Sequence, residues 1–282
     1  MKTFKNIAII FFFIFVFWPV SFANGWTITS DFEQGIVGQK AQGPSGCQEA
    51  FSQTFYTNEQ AKSGIKSAKI NWIQGSDGWG QSGCLFDYSV LGLADPSSGD
   101  EFWARAYFYY PSSFSFGANP HLKLFRTANI RTASGGNVGW HDMYANPNRT
   151  LKYISEIDPA ANGPYGVSAP YDIWHSMEMY LKLSATPGQG VMRTWIDGVL
   201  VKEDKTHKTM ANSTDKAVAT YLFTYWNTAV PQNQHNYIDD VVITTNQPAN
   251  RDAQGNYMIG PIGWGSVLDT TPPSSPTGLA VQ

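Results

Sequence analysis

Cysteine is nearly absent from this chain: Cys47 and Cys84 are the two it has among 282 residues. Neither belongs to a Cys-x-x-Cys pair and no histidine stands close to either in sequence, which argues against a zinc centre of Cys and His. Charged residues make up 15%, well short of the usual quarter. There are 19 basic and 22 acidic residues for a net charge of −3, and the lysines and arginines are scattered, so no footprint for nucleic acid exists. Helical periodicity is scarce and no internal repeat is visible, which leaves no pattern of strands alternating with helices. The one long apolar run, residues 7–20, is shorter than the roughly 20 residues a membrane-spanning helix needs and is broken by Pro19.

That run reads instead as the centre of an export signal of the bacterial type. Lys2 and Lys5 supply the positive region before it, and Ser21-Phe22-Ala23 a small-residue cleavage site after it. Residues 1–23 are therefore expected to be a cleaved signal peptide, and the mature protein to be secreted or held in the periplasm or at the cell surface, with no membrane attachment. In an oxidising compartment Cys47 and Cys84 are expected to form a disulfide. It would close a loop of about 37 residues, worth about 3 to 4 kcal/mol in the chain-entropy model. Residues 268–282 are rich in Pro, Ser and Thr and read as an extended linker. Residues 24–267 remain for one domain, a length that single sandwiches and barrels occupy; it is expected to act as a monomer.

Aromatic residues, by contrast, are abundant at 15%, so many large rings must be buried or used. Period-two segments at 25–32, 67–73, 101–110, 121–126, 151–157, 174–183, 191–196, 219–226 and 236–244 read as strands separated by Gly, Pro, Asn and Ser clusters. Asp197-Gly198 between two such runs is the strongest hairpin signal. Short strands with these turns predict an all-β fold of two packed antiparallel sheets.

Trp26-x4-Asp31-Phe32-Glu33-x-Gly35 near the start and Tyr237-Ile238-Asp239-Asp240-Val241-Val242-Ile243 near the end are similar to the terminal strands of secreted concanavalin A-like jelly rolls. That group includes carbohydrate-binding modules and polysaccharide lyases. Residues 62–68 resemble the stretch that follows the first strand in these domains, and Trp195-Ile196-Asp197-Gly198 resembles their common hairpin. The tail resembles the opening of a fibronectin type III module. The resemblance implies a jelly-roll sandwich with a polysaccharide as partner. It also implies a structural calcium ion between Glu33 and Asp239, with Asp31 as an additional candidate and Asp240 turned away by alternation. No organic cofactor is implied.

Alternation places Trp103, Arg105, Tyr107 and Tyr109 on one side of their strand and Phe102, Ala104, Ala106 and Phe108 on the other. The second set suits a core. The first is an aromatic row with a cation, as a sugar groove needs: rings stack on pyranose faces and Arg grips hydroxyls or a carboxylate. His121, Lys123 and Phe125 likewise share a side, as do Glu178, Tyr180 and Lys182. Assembled on one concave sheet, Arg105, His121, Lys123, Tyr180 and Lys182 would suit β-elimination of a uronic-acid polysaccharide, in which a cation neutralises the carboxylate and a Tyr, His or Lys removes the C5 proton. Tyr180-x-Lys182 resembles the Tyr-x-Lys strands of jelly-roll lyases, but a complete signature is absent, and Gln232 to His235 hold similar residue types in an expected loop. Glu156-Ile157-Asp158 begins the paired-carboxylate strand of jelly-roll glucanases, but Ala160 and Ala161 follow where the second acid is needed, which disfavours a retaining hydrolase. A binding or adhesive jelly roll without catalysis is the alternative to the lyase.

Overall fold

The computed structural model describes residues 25–76, 82–117, 122–223, 226 and 229–262. The expected signal peptide and linker lie outside the described residues, as does His121. In chain order the strands are β1 (Thr27–Ser30), β2 (Glu49–Ala50), β3 (Thr54–Thr57), β4 (Ser67–Trp72), β5 (Cys84–Asp87), β6 (Glu101–Tyr109), β7 (Leu122–Arg131), β8 (Asn137–Ala145) and β9 (Thr150–Ser155). After a 3-10 turn at Pro159–Ala161 come β10 (Gly163–Ser168), β11 (Trp174–Lys182), β12 (Val191–Ile196), β13 (Val199–Asp204), β14 (Lys216–Ala217), β15 (Ala219–Leu222), β16 (Gln234–Thr244), β17 (Asn250–Arg251) and β18 (Tyr257–Met258).

They form two large antiparallel sheets, a jelly-roll sandwich. Sheet I runs β13-β12-β11-β6-β16-β4-β3 with β1 also paired to β16; sheet II runs β10-β9-β8-β7-β15-β5-β2 with β14 paired to β7. The core lies between them because each central strand offers an apolar set to the inside. Phe102, Ala104, Ala106 and Phe108 of β6 are all fully buried, as the alternation requires. They meet Leu122, Leu124, Phe125 and Met143 of sheet II in one continuous cluster. The Phe108 ring lies 6.0 Å from that of Phe125 and 5.2 Å from that of Phe223.

Local irregularities set which side chains leave the core. At the β12–β13 hairpin Asp197 and Gly198 both have positive φ, 50° and 79°, the two left-handed residues of a type I′ turn. In β7 the register shifts between Lys123 and Phe125 and again between Arg126 and Ala128. These bulges break the alternation. Phe125, expected beside Lys123, is instead turned into the core, and Arg126 takes the outward place. In β16, an interior strand of sheet I, a shift between Asp239 and Val242, with Asp240 at φ 46°, does the same.

Cys47 and Cys84 form the disulfide, with Cα atoms 5.3 Å apart, and tie the loop before β2 to β5. Cys84 also pairs with Ala50 across the β2–β5 ladder, so the bridge secures the edge of sheet II. Cys47→Ser or full reduction is expected to lower unfolding free energy by about 3 to 4 kcal/mol, measured as a lower denaturant midpoint.

Candidate functional site

The outer face of sheet II gathers cations and phenols on two neighbouring rungs, with an indole on the rung beyond. In register, Tyr221 of β15, Arg126 of β7 and Asp142 of β8 lie side by side. The next rung carries Lys123, Tyr144 and Lys152 from β7, β8 and β9. Arg126 donates through Nε to Asp142 Oδ1 at 2.8 Å and through Nη2 to Glu156 Oε1 at 3.1 Å, and its guanidinium lies 4.1 Å from the Trp140 ring centroid. Lys123 Nζ reaches the same Glu156 oxygen at 3.9 Å, which shows that the two cations share a face. The ammonium groups of Lys123 and Lys152 lie 5.6 and 6.0 Å from the Tyr144 ring centroid. Trp140 packs edge-on to Tyr221 at 5.1 Å, and Tyr221 stacks on Phe51 at 5.9 Å.

Lys123, Arg126, Trp140, Tyr144 and Tyr221 are only 3 to 7% exposed, so their charges act where water screens little. Burial pushes the Asp142 carboxyl up to about 6; Arg126 opposes the shift and Glu156 adds to it. Burial also raises the Tyr221 phenol, helped by Glu49. Arg126, Trp140, Tyr144, Lys152 and Tyr221 were not singled out by sequence reasoning. Strand β8 escaped because both its faces are occupied: Trp140, Asp142 and Tyr144 point outward while His141 points inward, its ring nitrogens bonded to the Tyr153 hydroxyl and to Thr209 O. No apolar–polar alternation remains to read.

The expected single groove does not form, because its members lie on two sheets. Lys123 is on sheet II, whereas Arg105, Tyr180 and Lys182, with Trp103, Tyr107 and Tyr109, are on β6 and β11 of sheet I. Their outward face is occupied by the chain's own residues 250–262. Trp103 Nε1 donates to Tyr257 O at 3.0 Å, Arg105 Nη1 to Gly260 O at 2.8 Å, and the Tyr107 hydroxyl accepts from Ile262 N at 2.6 Å. Glu178 accepts from Ile259 N and Gly260 N at 2.6 and 2.8 Å, and Trp195 Nε1 donates to Asp252 at 2.8 Å. Trp103, Tyr180, Trp195 and Met258 form a small separate core beneath this strap. Tyr109 stands beyond it at the strand end, half-buried against Trp174 and Tyr237.

Burial raises Glu178 to about 7 against the pull of its two N–H donors and of Arg105. An unfolded glutamate releases its proton near pH 4.3, so between that pH and about 7 the native chain binds the extra proton and this group's contribution to stability falls as pH rises. The thermal midpoint of Glu178→Gln relative to wild type is therefore expected to rise between pH 5 and pH 8. A constant difference across that range would overturn the assignment.

Glu33 and Asp239 meet one loop from two sides. Glu33 Oε1 accepts from Ile65 N and Lys66 N at 3.0 and 2.9 Å, and Asp239 Oδ2 from Lys62 N at 2.8 Å. The bulge corrects the expectation for Asp240: it too faces this loop, accepting from Ser63 Oγ at 2.9 Å, and its Oδ2 is buried without a partner among the described residues.

No family model matches the sequence, and no curated protein matches it either. Solved structures do. An endo-β-1,4-glucuronan lyase from the fungus Trichoderma reesei superposes with a TM-score of 0.55 at 14% identity, covering 78% of this chain and 95% of that one. The fold is one that polysaccharide lyases use. A marine alginate lyase from Aplysia kurodai gives 0.54 at 12% identity over 77% of this chain and 97% of its own. Alginate lyase Aly36B, as a double mutant in complex with an alginate tetrasaccharide, gives 0.56 at 12% over 77% and 96%. At these identities the likeness fixes architecture, and chemistry must be argued from the side chains.

Proposed function

We propose that the protein is a lyase that cleaves a uronic-acid polysaccharide by β-elimination, with its groove on the outer face of sheet II. The observation that carries this reading is the convergence there of Lys123 and Arg126 with Tyr144, Tyr221 and Trp140. Trp140 and Tyr221 offer ring faces and edges to the sugar. A cation beside the uronate carboxylate neutralises it, which makes the C5 proton removable. Tyr144, set between Lys123 and Lys152, takes the role first given to Tyr180 and removes that proton; the C4–O4 bond breaks as the C4–C5 double bond forms, and O4 departs with a proton. No water is consumed. Lys123 keeps its expected place in the reaction, while Arg105, Trp103 and Tyr107 anchor the strap.

The test is ultraviolet absorbance of the unsaturated uronate after incubation with alginate, pectate, glucuronan and heparinoid polymers. A rise with one of them supports the lyase and names its substrate. A flat trace with retention in an affinity gel moves the reading to a binding module, and a flat trace without retention removes both.

A structural calcium ion at Glu33 and Asp239 belongs to the same proposal. The buried, unpartnered Oδ2 of Asp240 beside them suits a cation. Among the described residues no three acidic, His or Cys side chains converge as a metal group, so backbone carbonyls and water would complete the six to eight oxygens calcium takes. Chelator treatment is expected to lower the thermal midpoint, since loss of a native-state ligand lowers stability; an unchanged midpoint would argue against the ion. Export to an oxidising compartment is likewise proposed, and the formed disulfide supports it.

A further inference from the structure

Among the described residues, Arg126 has three contacts of unequal stiffness. The Trp140 ring lies under its guanidinium, Glu156 accepts from Nη2, and Asp142 accepts from Nε. Glu156 sits beyond the end of β9 with a side chain 34% exposed, whereas Asp142 is fully buried and lies directly across the ladder from Arg126. The strand-borne carboxylate is therefore the contact that fixes the guanidinium. As a stabilising element the pair is poor. Asp142 Oδ2 is buried and has no hydrogen-bond partner among the described residues, and a half-satisfied buried ion pair holds two strands no better than an apolar pair of the same volume. Its presence at the centre of a sheet face calls for a reason other than stability.

We propose that Asp142 is a positioning residue that locks Arg126 against Trp140 and so presents the guanidinium to a uronate carboxylate of the bound polymer. The inference rests on the lyase reading of this face. The charged groups that face Asp142 are Arg126 and Lys123 from β7 and Glu156 from the segment after β9. Burial, the largest influence on Asp142, keeps its carboxyl protonated up to about 6. Below that pH a neutral Asp142 holds Arg126 less firmly, and substrate binding weakens on the acid side.

Steady-state kinetics of wild type, Asp142→Asn and Asp142→Ala from pH 5 to 8 test it. Asp142→Asn keeps an oxygen for Arg126 Nε but cannot titrate, so it is expected to retain most activity while losing the acid-side rise in KM. Asp142→Ala is expected to raise KM by about tenfold or more with a smaller change in kcat, as loss of a binding contact made in both ground and transition states does. An Asn variant that keeps the wild-type pH profile overturns the proposal, and so does an Ala variant with wild-type KM; if the Ala variant fails to fold, the Asn profile decides alone. A wild-type protein that turns over none of the uronate polymers overturns the lyase reading instead. Retention of wild type and Asp142→Asn in uronate-polymer gels across the same pH range then decides the positioning role. A pH-dependent retention lost in the Asn variant supports it, and equal retention or none overturns it.

Discussion

Lys123→Ala is expected to lower lyase turnover by about a hundredfold or more, since a positioned acid, base or charge-neutralising group is worth about that much. The expectation follows from where the residue stands. Lys123 projects from a bulged strand onto the same rung as Tyr144, is nearly inaccessible to water, and shares Glu156 with Arg126. Its ammonium group therefore acts in a medium of low screening, and a methyl group in its place leaves the developing charge on the uronate unanswered. Tyr144→Phe should fall by a similar factor with its fold intact, because it deletes only the hydroxyl. Tyr180→Phe, on the far sheet beneath the strap, should leave turnover unchanged. Single-turnover rates of the three variants check this; equal rates for all of them would move the chemistry away from sheet II.

Arg126→Leu is expected to lower unfolding free energy by about 3 to 5 kcal/mol, because it strands the Asp142 carboxylate in the interior without its counter-charge. Arg126 and Asp142 are 3% and 0% exposed, so solvent cannot take over the missing contact. The companion change Asp142→Leu in the same chain should return much of that loss, since an apolar pair of matched volume replaces a buried ion pair at little net cost. A double-mutant cycle in denaturant measures both. An Arg126→Leu midpoint equal to wild type would mean that the pair is solvated, and would weaken the argument for Asp142 as an anchor.

The sequence was legible wherever local chemistry and strict alternation agree. The core face of β6, the Asp197-Gly198 hairpin and the pairing of Cys47 with Cys84 all appear as expected. Strand ends were uneven: β12 covers the expected residues, whereas β7 runs five residues farther than 121–126. The candidate site was less legible, and for two definable reasons. A bulge inserts a residue into the period-two count, so Phe125 and Arg126 exchange faces and Asp240 turns toward the loop that Asp239 binds. Inward polar residues such as His141 also erase the alternation that would have announced β8.

By itself, then, the sequence determined that this is an all-β sandwich, closed by a disulfide, poor in charge and rich in rings. Those properties follow from side-chain periodicity, turn chemistry and composition, each of which acts over a few residues. Which charged and ring-bearing groups meet on which sheet was decided only in three dimensions. Residues 250–262 return across sheet I and satisfy Arg105, Tyr107 and Glu178 with backbone groups, while β8 and β9 bring Tyr144, Asp142 and Glu156 to Lys123 and Arg126 on sheet II. Alternation tells which side chains share a face; what covers that face depends on segments distant in sequence, whose position is set by packing of the whole sandwich.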